Sequence, residues 1–286
     1  MPEGPLDSYG KYSRAIVDVM QARPSVGDLL RLWRQRRRVS QLDLATEAEI
    51  SAKHLCFLET GRSQPSRDML LHLTEHLQIP LRERNVLLNA AGYAPVFPER
   101  QLGDPSLAVI RKAIDALLAG HHPYPAFAVD RHWTLVASND ALTPFLCGIE
   151  PELLQPPANV LRLTLHPQGL GPRLANFSEW RSHVLDKLHH QIEISRDPIL
   201  IGLRQELRNY PAPKKTPVAP ALPLDPGCHP FVVPFQLLTE NGILSFFSTT
   251  TVFGTPVDIT LSELSIESFY PADSATRDAL RNLPPR

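Results

Sequence analysis

The chain has 286 residues, enough for two ordinary domains that each bury a core, and its 43% hydrophobic and 21% charged residues exclude wholesale disorder. A net charge of −1 excludes a protein that coats a polyanion with its whole surface, yet five arginines fall within Arg31–Arg38 and concentrate positive charge locally. Three scattered cysteines point to buried free thiols in a reducing compartment, and neither a leader sequence nor an apolar run of about 18 residues is present, so a cytoplasmic protein with no membrane partner is expected.

Residues 1–24 are polar with weak periodicity and read as an N-terminal arm. From Val26 onward the pattern is helical. VGDLLRLWRQRRR puts Val26, Leu29, Leu30 and Trp33 on one face. Ser40 before Gln41-Leu42-Asp43 matches a capping box and opens QLDLATEA. A short turn at Glu49-Ile50 leads to Ser51, the N-cap of a third helix that ends at Gly61. SRDMLLHLTEHL follows Pro65, and after Ile79-Pro80 the segment LRERNVLLNAAG ends at Gly92. Five short helices over 25–93 predict a compact all-α bundle.

APVFPERQLGDP, residues 94–105, carries three prolines and is expected to be a linker. The second domain, 106–286, opens with the helix SLAVIRKAIDALLAG. FAVD and WTLVAS read as strands around Arg131-His132, followed by helices near Ala141–Leu146 and in NVLRLTLH, FSEWRSHVLDKLHHQI and ILIGLRQELRNY. Six prolines in 211–227 predict a long loop. FVVPFQLLTE and ILSFFSTTTVF flank Asn241-Gly242 as a tight hairpin, and DITLSELSIESFY reads as one more strand. The expectation is an α+β domain with helices on one face of a five-stranded sheet.

The third helix has an odd face. Ile50, Leu55 and Leu58 form a stripe that can hold it to the bundle, which leaves Lys53, His54 and Phe57 pointing away. The second and third helices have helix-turn-helix dimensions, in which the second enters the major groove of DNA. Lys53 can donate to guanine and Phe57 can touch a thymine methyl, while His54 is suited to phosphate. A solvated face is the ordinary reading of a lone surface lysine or histidine; an outward phenylalanine is harder to explain that way. Arg36, Arg37 and Arg38 fit a solvated face, phosphate contact or dimer packing.

QLDLATEAEISAKHLCFLETGRSQPS resembles the helix-turn-helix of the XRE family, the lambda-repressor-like regulators, through Gln41, Leu44-Ala45, Ser51, Leu55, Leu58-Glu59, Gly61 and Pro65. The resemblance covers residues 26–80. It implies a phosphate contact for Gln41, a start of the reading helix at Ser51, base-facing positions for Ala52, Lys53 and Phe57, and backbone contacts for Arg62 and Ser63. Ala52 and Phe57 stand where polar readers are common, so hydrogen-bonded readout is thin. The resemblance also pairs Glu59 with Arg34 as a partly buried structural ion pair. A homodimer on double-stranded DNA, reading half-sites about 10–10.5 bp apart, follows from it.

The second domain carries no GxSxG, HExxH, Walker or GxGxxG signature, so no enzyme is expected. His121-His122, His183, His189 and His190 lack carboxylate or cysteine partners at ligand spacing, so no metal or other cofactor is expected. Lys112, Lys187, Lys214 and Lys215 lack the strand context of a self-cleaving Ser/Lys dyad.

The junction at Pro80–Asn85 and Ala91–Pro95, with PAFAVDRHWTLVASNDAL and ANVLRLTLHPQGL, is similar to regulators with a MmyB-like ligand-binding domain. This implies a PAS-like fold, a five-stranded antiparallel sheet wrapped by helices around a small-molecule cavity, and a hydrophobic ligand such as a medium- or long-chain fatty acid. Candidate anchors for its carboxylate are Asn159, Arg162, His166, Trp180 and Arg181, with Phe127 and Phe145 as apolar lining. The bland alternatives are core packing for the aromatics, a solvated Arg162, and a domain that only dimerises.

Overall fold

Serine opens four of the first five helices. In the computed structural model, Ser25, Ser40, Ser51 and Ser66 accept hydrogen bonds from the backbone N–H of Asp28, Asp43, His54 and Met69. They cap α1 (Val26–Arg36), α2 (Gln41–Glu47), α3 (Ala52–Glu59) and α4 (Arg67–His76). Each cap contributes about 1 kcal/mol. The fifth helix, α5 (Leu81–Ala90), follows Pro80 without a side-chain cap. The structure describes residues 24–214, 232–240 and 242–281, and the chain divides into two compact units between Pro98 and Glu99. The expected arm, most of the proline-rich loop, Lys215, Cys228 and Asn241 lie outside the described residues.

The first unit buries Leu30, Trp33, Leu44, Leu55, Leu58 and Leu70 in one core. Gly27 sets the approach of α1 to α3: a Cβ there would lie 2.5 Å from the Leu58 carbonyl oxygen and 2.9 Å from that of Glu59. Arg37 is structural, its Nε donating to Leu77 O at 3.0 Å and its Nη2 to Gln78 O at 2.7 Å at the end of α4. The segment expected as a linker is docked at both ends. Asn85 holds the backbone of Val96 and Phe97 against the first unit, and Arg100 reaches Asp258 at 3.2 Å within the second.

The second unit runs α6 (Ala108–Gly120), β1 (Ala126–Val129), β2 (Leu135–Ser138), α7 (Pro151–Leu154), α8 (Val160–Leu165), α9 (Phe177–Ser195), α10 (Pro198–Asn209), β3 (Phe235–Thr239), β4 (Gly242–Val252), α11 (Ile259–Ser262), β5 (Ser265–Pro271) and α12 (Ser274–Arg281). The sheet order is β2-β1-β5-β4-β3, every pair antiparallel. The last strand is therefore central, clasped between β1 and β4. This is a PAS-like fold.

Several expectations need correction. Helices cover both sheet faces: α8 and α9 pack on Phe127, Phe235 and Phe246, while Ile114 and Leu118 of α6 cover Ala126, Ala128 and Ile266 behind them. DITLSELSIESFY is a strand only from Ser265, because Asp258 caps the turn of α11 through Thr260 N. Strand β2 begins at Leu135, since Trp133 bends the chain at φ 67°. Residues Asp140–Leu146 form a 3-10 helix with Pro144 inside it, and α12 was not foreseen. Cys147 is exposed and Cys56 half-buried, so the expectation of buried thiols fails at both.

Candidate nucleic-acid interface and ligand cavity

Helix α3 is held from behind and open in front. Leu55 and Leu58 are fully buried, Lys53 is exposed, and Phe57 is half-buried. Lys53 Nζ lies 5.7 Å from the Phe57 ring centre and Arg62 Cζ 5.8 Å from it. Arg62 and Ser63 are fixed there by their backbone N–H groups, which both donate to Phe57 O, at 2.9 and 3.2 Å. Lys53, Phe57 and Arg62 thus form one cation–aromatic patch beside Ser63, each cation worth about 0.5–1 kcal/mol to the ring at an exposed site.

The other expected contact residues have different neighbours. Ser51 spends its hydroxyl oxygen on the His54 N–H at 3.1 Å as the cap. His54 is half-buried, and Ala52 leans on the core. Gln41 donates its side-chain N–H to Glu59 Oε2 at 2.7 Å, so its amide is engaged inside the unit rather than extended from it.

Glu59 is the hub behind the helix. Its carboxylate is wholly buried and receives Arg34 Nε at 2.6 Å and Arg34 Nη2 at 2.8 Å, with Arg31 Nε at 3.6 Å. Arg34 also donates to Val39 O at 3.0 Å, which ties the α1–α2 turn into the same network. Burial pushes the Glu59 carboxyl up, but the bonds from Arg34 and Gln41 and the charges of Arg34 and Arg31 outweigh it and hold the group below the ordinary range. Arg34 is raised by its bond to Glu59.

In the second unit a cavity of about 100 Å³ lies between the inner sheet face and helices α8 and α9. Phe127, Phe145 and Trp180 are in its wall, with Trp133, Phe246 and Phe269. The Trp180 indole N–H is buried without an acceptor among the described residues. Trp133 is clamped by its own N–H, which donates to Gln191 Oε1 at 2.9 Å.

The polar anchors expected from the sequence are elsewhere. Asn159 caps α8, accepting from Leu161 N and Arg162 N and donating to His132 O. Arg162 forks onto Glu206 with both bonds at 2.8 Å. His166 Nδ1 accepts from Gln168 N, and its ring meets Tyr210 edge-on at 5.0 Å. Arg181 donates to Tyr210 O at 3.1 Å and covers Phe177. All four serve the scaffold, and none of them lines the cavity.

The polar groups that do line it are His183, Lys187, Ser248, Thr164 and Glu267. Lys187 Nζ donates to Glu267 Oε1 at 2.9 Å, and Thr250 Oγ1 donates to the same oxygen at 2.8 Å. One signal for the helical part was available: Trp180, His183, Val184 and Lys187 recur at spacings of three and four, which is one face of α9.

A helix-turn-helix unit followed by a cavity-bearing PAS-like domain is the layout of a ligand-regulated transcription regulator. Residues 25–87 match the family model of a helix-turn-helix domain, and residues 110–283, more than half the chain, match that of the MmyB-like transcription regulator ligand binding domain. The chain belongs to the family of MmyB-like transcription regulators. No curated protein matches it. The solved structure of an RNA-binding Light-Oxygen-Voltage receptor aligns over 99% of this chain and 67% of that one at 11% identity, with a TM-score of 0.24, too low for any argument to rest on it. No helix among the described residues is long and apolar enough to cross a membrane.

Proposed function

We propose that this is a cytoplasmic, homodimeric, non-enzymatic regulator of the XRE type that reads duplex DNA with α3 and changes its operator affinity when a fatty acid occupies the PAS-like cavity. The cation–aromatic patch supports the first half. Lys53 and Phe57 meet base edges, where a good contact discriminates by about 1–3 kcal/mol, while Arg62 and Ser63 meet phosphates. With Gln41 held by Glu59, backbone contact at the edge of the motif falls to its main chain and to Arg62.

The cavity carries the second half. Its walls are chiefly aliphatic and aromatic, which suits an acyl chain whose burial contributes about 0.8 kcal/mol per methylene. Among the described lining residues Lys187, not Arg162 or Arg181, is the cation available to the head group.

Two measurements test this reading. Selection of genomic fragments on the purified protein should yield a two-fold symmetric site whose binding is lost in the double variant Lys53→Ala, Phe57→Ala. Mass spectrometry of lipid extracted from the same preparation should find a fatty acid. An empty extract, with operator affinity indifferent to added fatty acids, would instead favour a second domain that only dimerises.

A further inference from the structure

Glu267 lies in the central strand β5, opposite Phe127 of β1 and Thr250 of β4, and is 4% exposed. A packed face lined by Phe127, Phe246 and Phe269 does not call for a carboxylate. Among the described residues its two side-chain bonds, from Lys187 and Thr250, both end on Oε1, and neither occupies Oε2. Lys187 also donates to Thr250 Oγ1 at 3.3 Å and holds its ammonium 4.6 Å from the Trp133 ring centre.

The charges around this pair can be counted. Among the described lining residues the titratable groups are His183 and Lys187 of α9 and Glu267 of β5; α8 contributes Thr164 and β4 contributes Ser248, which are neutral. Burial first, and then the Lys187 charge, holds His183 below its ordinary range against the weaker pull of Asp186 and Glu267, so the imidazole is neutral at pH 7. One ammonium and one carboxylate therefore balance. A ligand that arrived as a carboxylate would set two anions against one cation in an apolar wall, and one shared proton relieves that conflict.

We infer that the cavity takes its ligand with an uncharged head, an alkanol or the protonated form of a carboxylic acid, whose O–H donates to Glu267 and whose acceptor oxygen faces Lys187. This rests on reading the cavity as the ligand site and names the head group that the site selects. In a protonated acid the hydroxyl and the carbonyl oxygen suit Glu267 and Lys187 in turn. The proton is taken up from the buffer as the acid enters, forming the carboxyl O–H as the buffer acid gives up its own bond to hydrogen, and no other covalent bond changes.

The test titrates the full chain with 1-decanol and with decanoic acid, by tryptophan fluorescence and by calorimetry in two buffers of different ionisation enthalpy. Decanol should bind with the same Kd from about pH 6 to about pH 8, whereas decanoic acid should take up about one proton and weaken about tenfold per pH unit. Glu267→Gln should abolish the proton uptake; His183→Gln should retain it, whatever it does to affinity. Should Glu267→Gln fail to fold, the wild-type buffer comparison with the decanol titration decides alone. Decanoic acid binding without proton uptake, exclusion of decanol, or loss of uptake in His183→Gln overturns the inference while leaving a ligand site in place. Failure of both probes to bind removes the ligand reading together with the inference.

Discussion

The Arg34 guanidinium forks onto the wholly buried Glu59 carboxylate, Nε to Oε1 at 2.6 Å and Nη2 to Oε2 at 2.8 Å, and so bolts α1 to α3. Removal of Arg34 leaves the buried Glu59 carboxylate with only the Gln41 amide at 2.7 Å and Arg31 at 3.6 Å, and loss of a buried partner costs about 3–5 kcal/mol, far more than loss of an exposed pair. Arg34→Ala should therefore release α3, and Arg34→Lys should rescue only part, because an ammonium cannot make both bonds. Hydrogen exchange of the α3 amides should report the loss, and DNA binding should fall with it.

The same carboxylate gives the first unit an acid limit. The Glu59 carboxyl is held below its ordinary value of 4.5, because the Arg34 and Gln41 bonds overcome the opposing effect of burial. A depressed carboxyl stabilises the fold fully above its unfolded value and loses that contribution as pH falls through the folded one. Hydrogen exchange of α3 across pH, compared with Glu59→Gln, should show a wild-type advantage at neutral pH that disappears in acid. An advantage independent of pH would contradict the assignment.

Gly27→Ala gives a test of opposite sign to propensity. An exposed glycine in a helix gains about 1 kcal/mol on becoming alanine. Here the new Cβ would be 2.5 Å from Leu58 O and 2.9 Å from Glu59 O, both backbone atoms that cannot rotate away. The substitution should destabilise the first unit by about 1–3 kcal/mol, as overpacking does elsewhere. Thermal melting of the first unit is the measurement, and a rise would mean that α1 and α3 are not this close.

Legibility followed sequence distance. The five helices and the caps at Ser40 and Ser51 could be read because each is set within a few residues, and Trp180, Phe127 and Phe145 could be assigned to an apolar interior by composition and spacing. The anchors failed because their partners are remote. Arg162 reads as an available cation until α10 brings Glu206 beside it, and Asn159 reads as a polar ligand group until its side-chain amide is seen to donate to His132 O, 27 residues away. Glu267 and Lys187 meet only because the last strand inserts at the sheet centre, and no local pattern distinguishes a strand carboxylate facing a cavity from one facing water. The turn at Glu49, with φ 54°, was expected as a turn although nothing in the residue itself demands left-handed backbone.

The patch on α3 should separate affinity from stability. Phe57 is half-buried between Lys53 and Arg62 on the outer face, so Phe57→Ala should cost the fold less than about 1 kcal/mol while discrimination between related operators falls by about 1–3 kcal/mol. Arg62→Ala should weaken binding to all sequences alike and reduce the slope of log affinity against log salt by about one. Fluorescence anisotropy at several salt concentrations distinguishes the two. Equal, sequence-independent losses from both variants would assign Phe57 to packing and not to readout.

Val184 tests the cavity itself. It is 3% exposed on α9, lines the space, and follows His183 on the face that carries Trp180 and Lys187. In a solid core, Val184→Phe would overpack and cost about 1–3 kcal/mol. With about 100 Å³ of empty space beside it, the larger ring has somewhere to go, and the contacts that a void forfeits are regained. The variant should therefore melt within a few degrees of the wild type but take up neither decanol nor decanoic acid, and its operator affinity should no longer respond to them. The two readouts work against each other by design: a filled cavity keeps stability and loses ligand, whereas a core without space loses stability and had no ligand to lose. Melting temperature and ligand titration on one preparation decide between them.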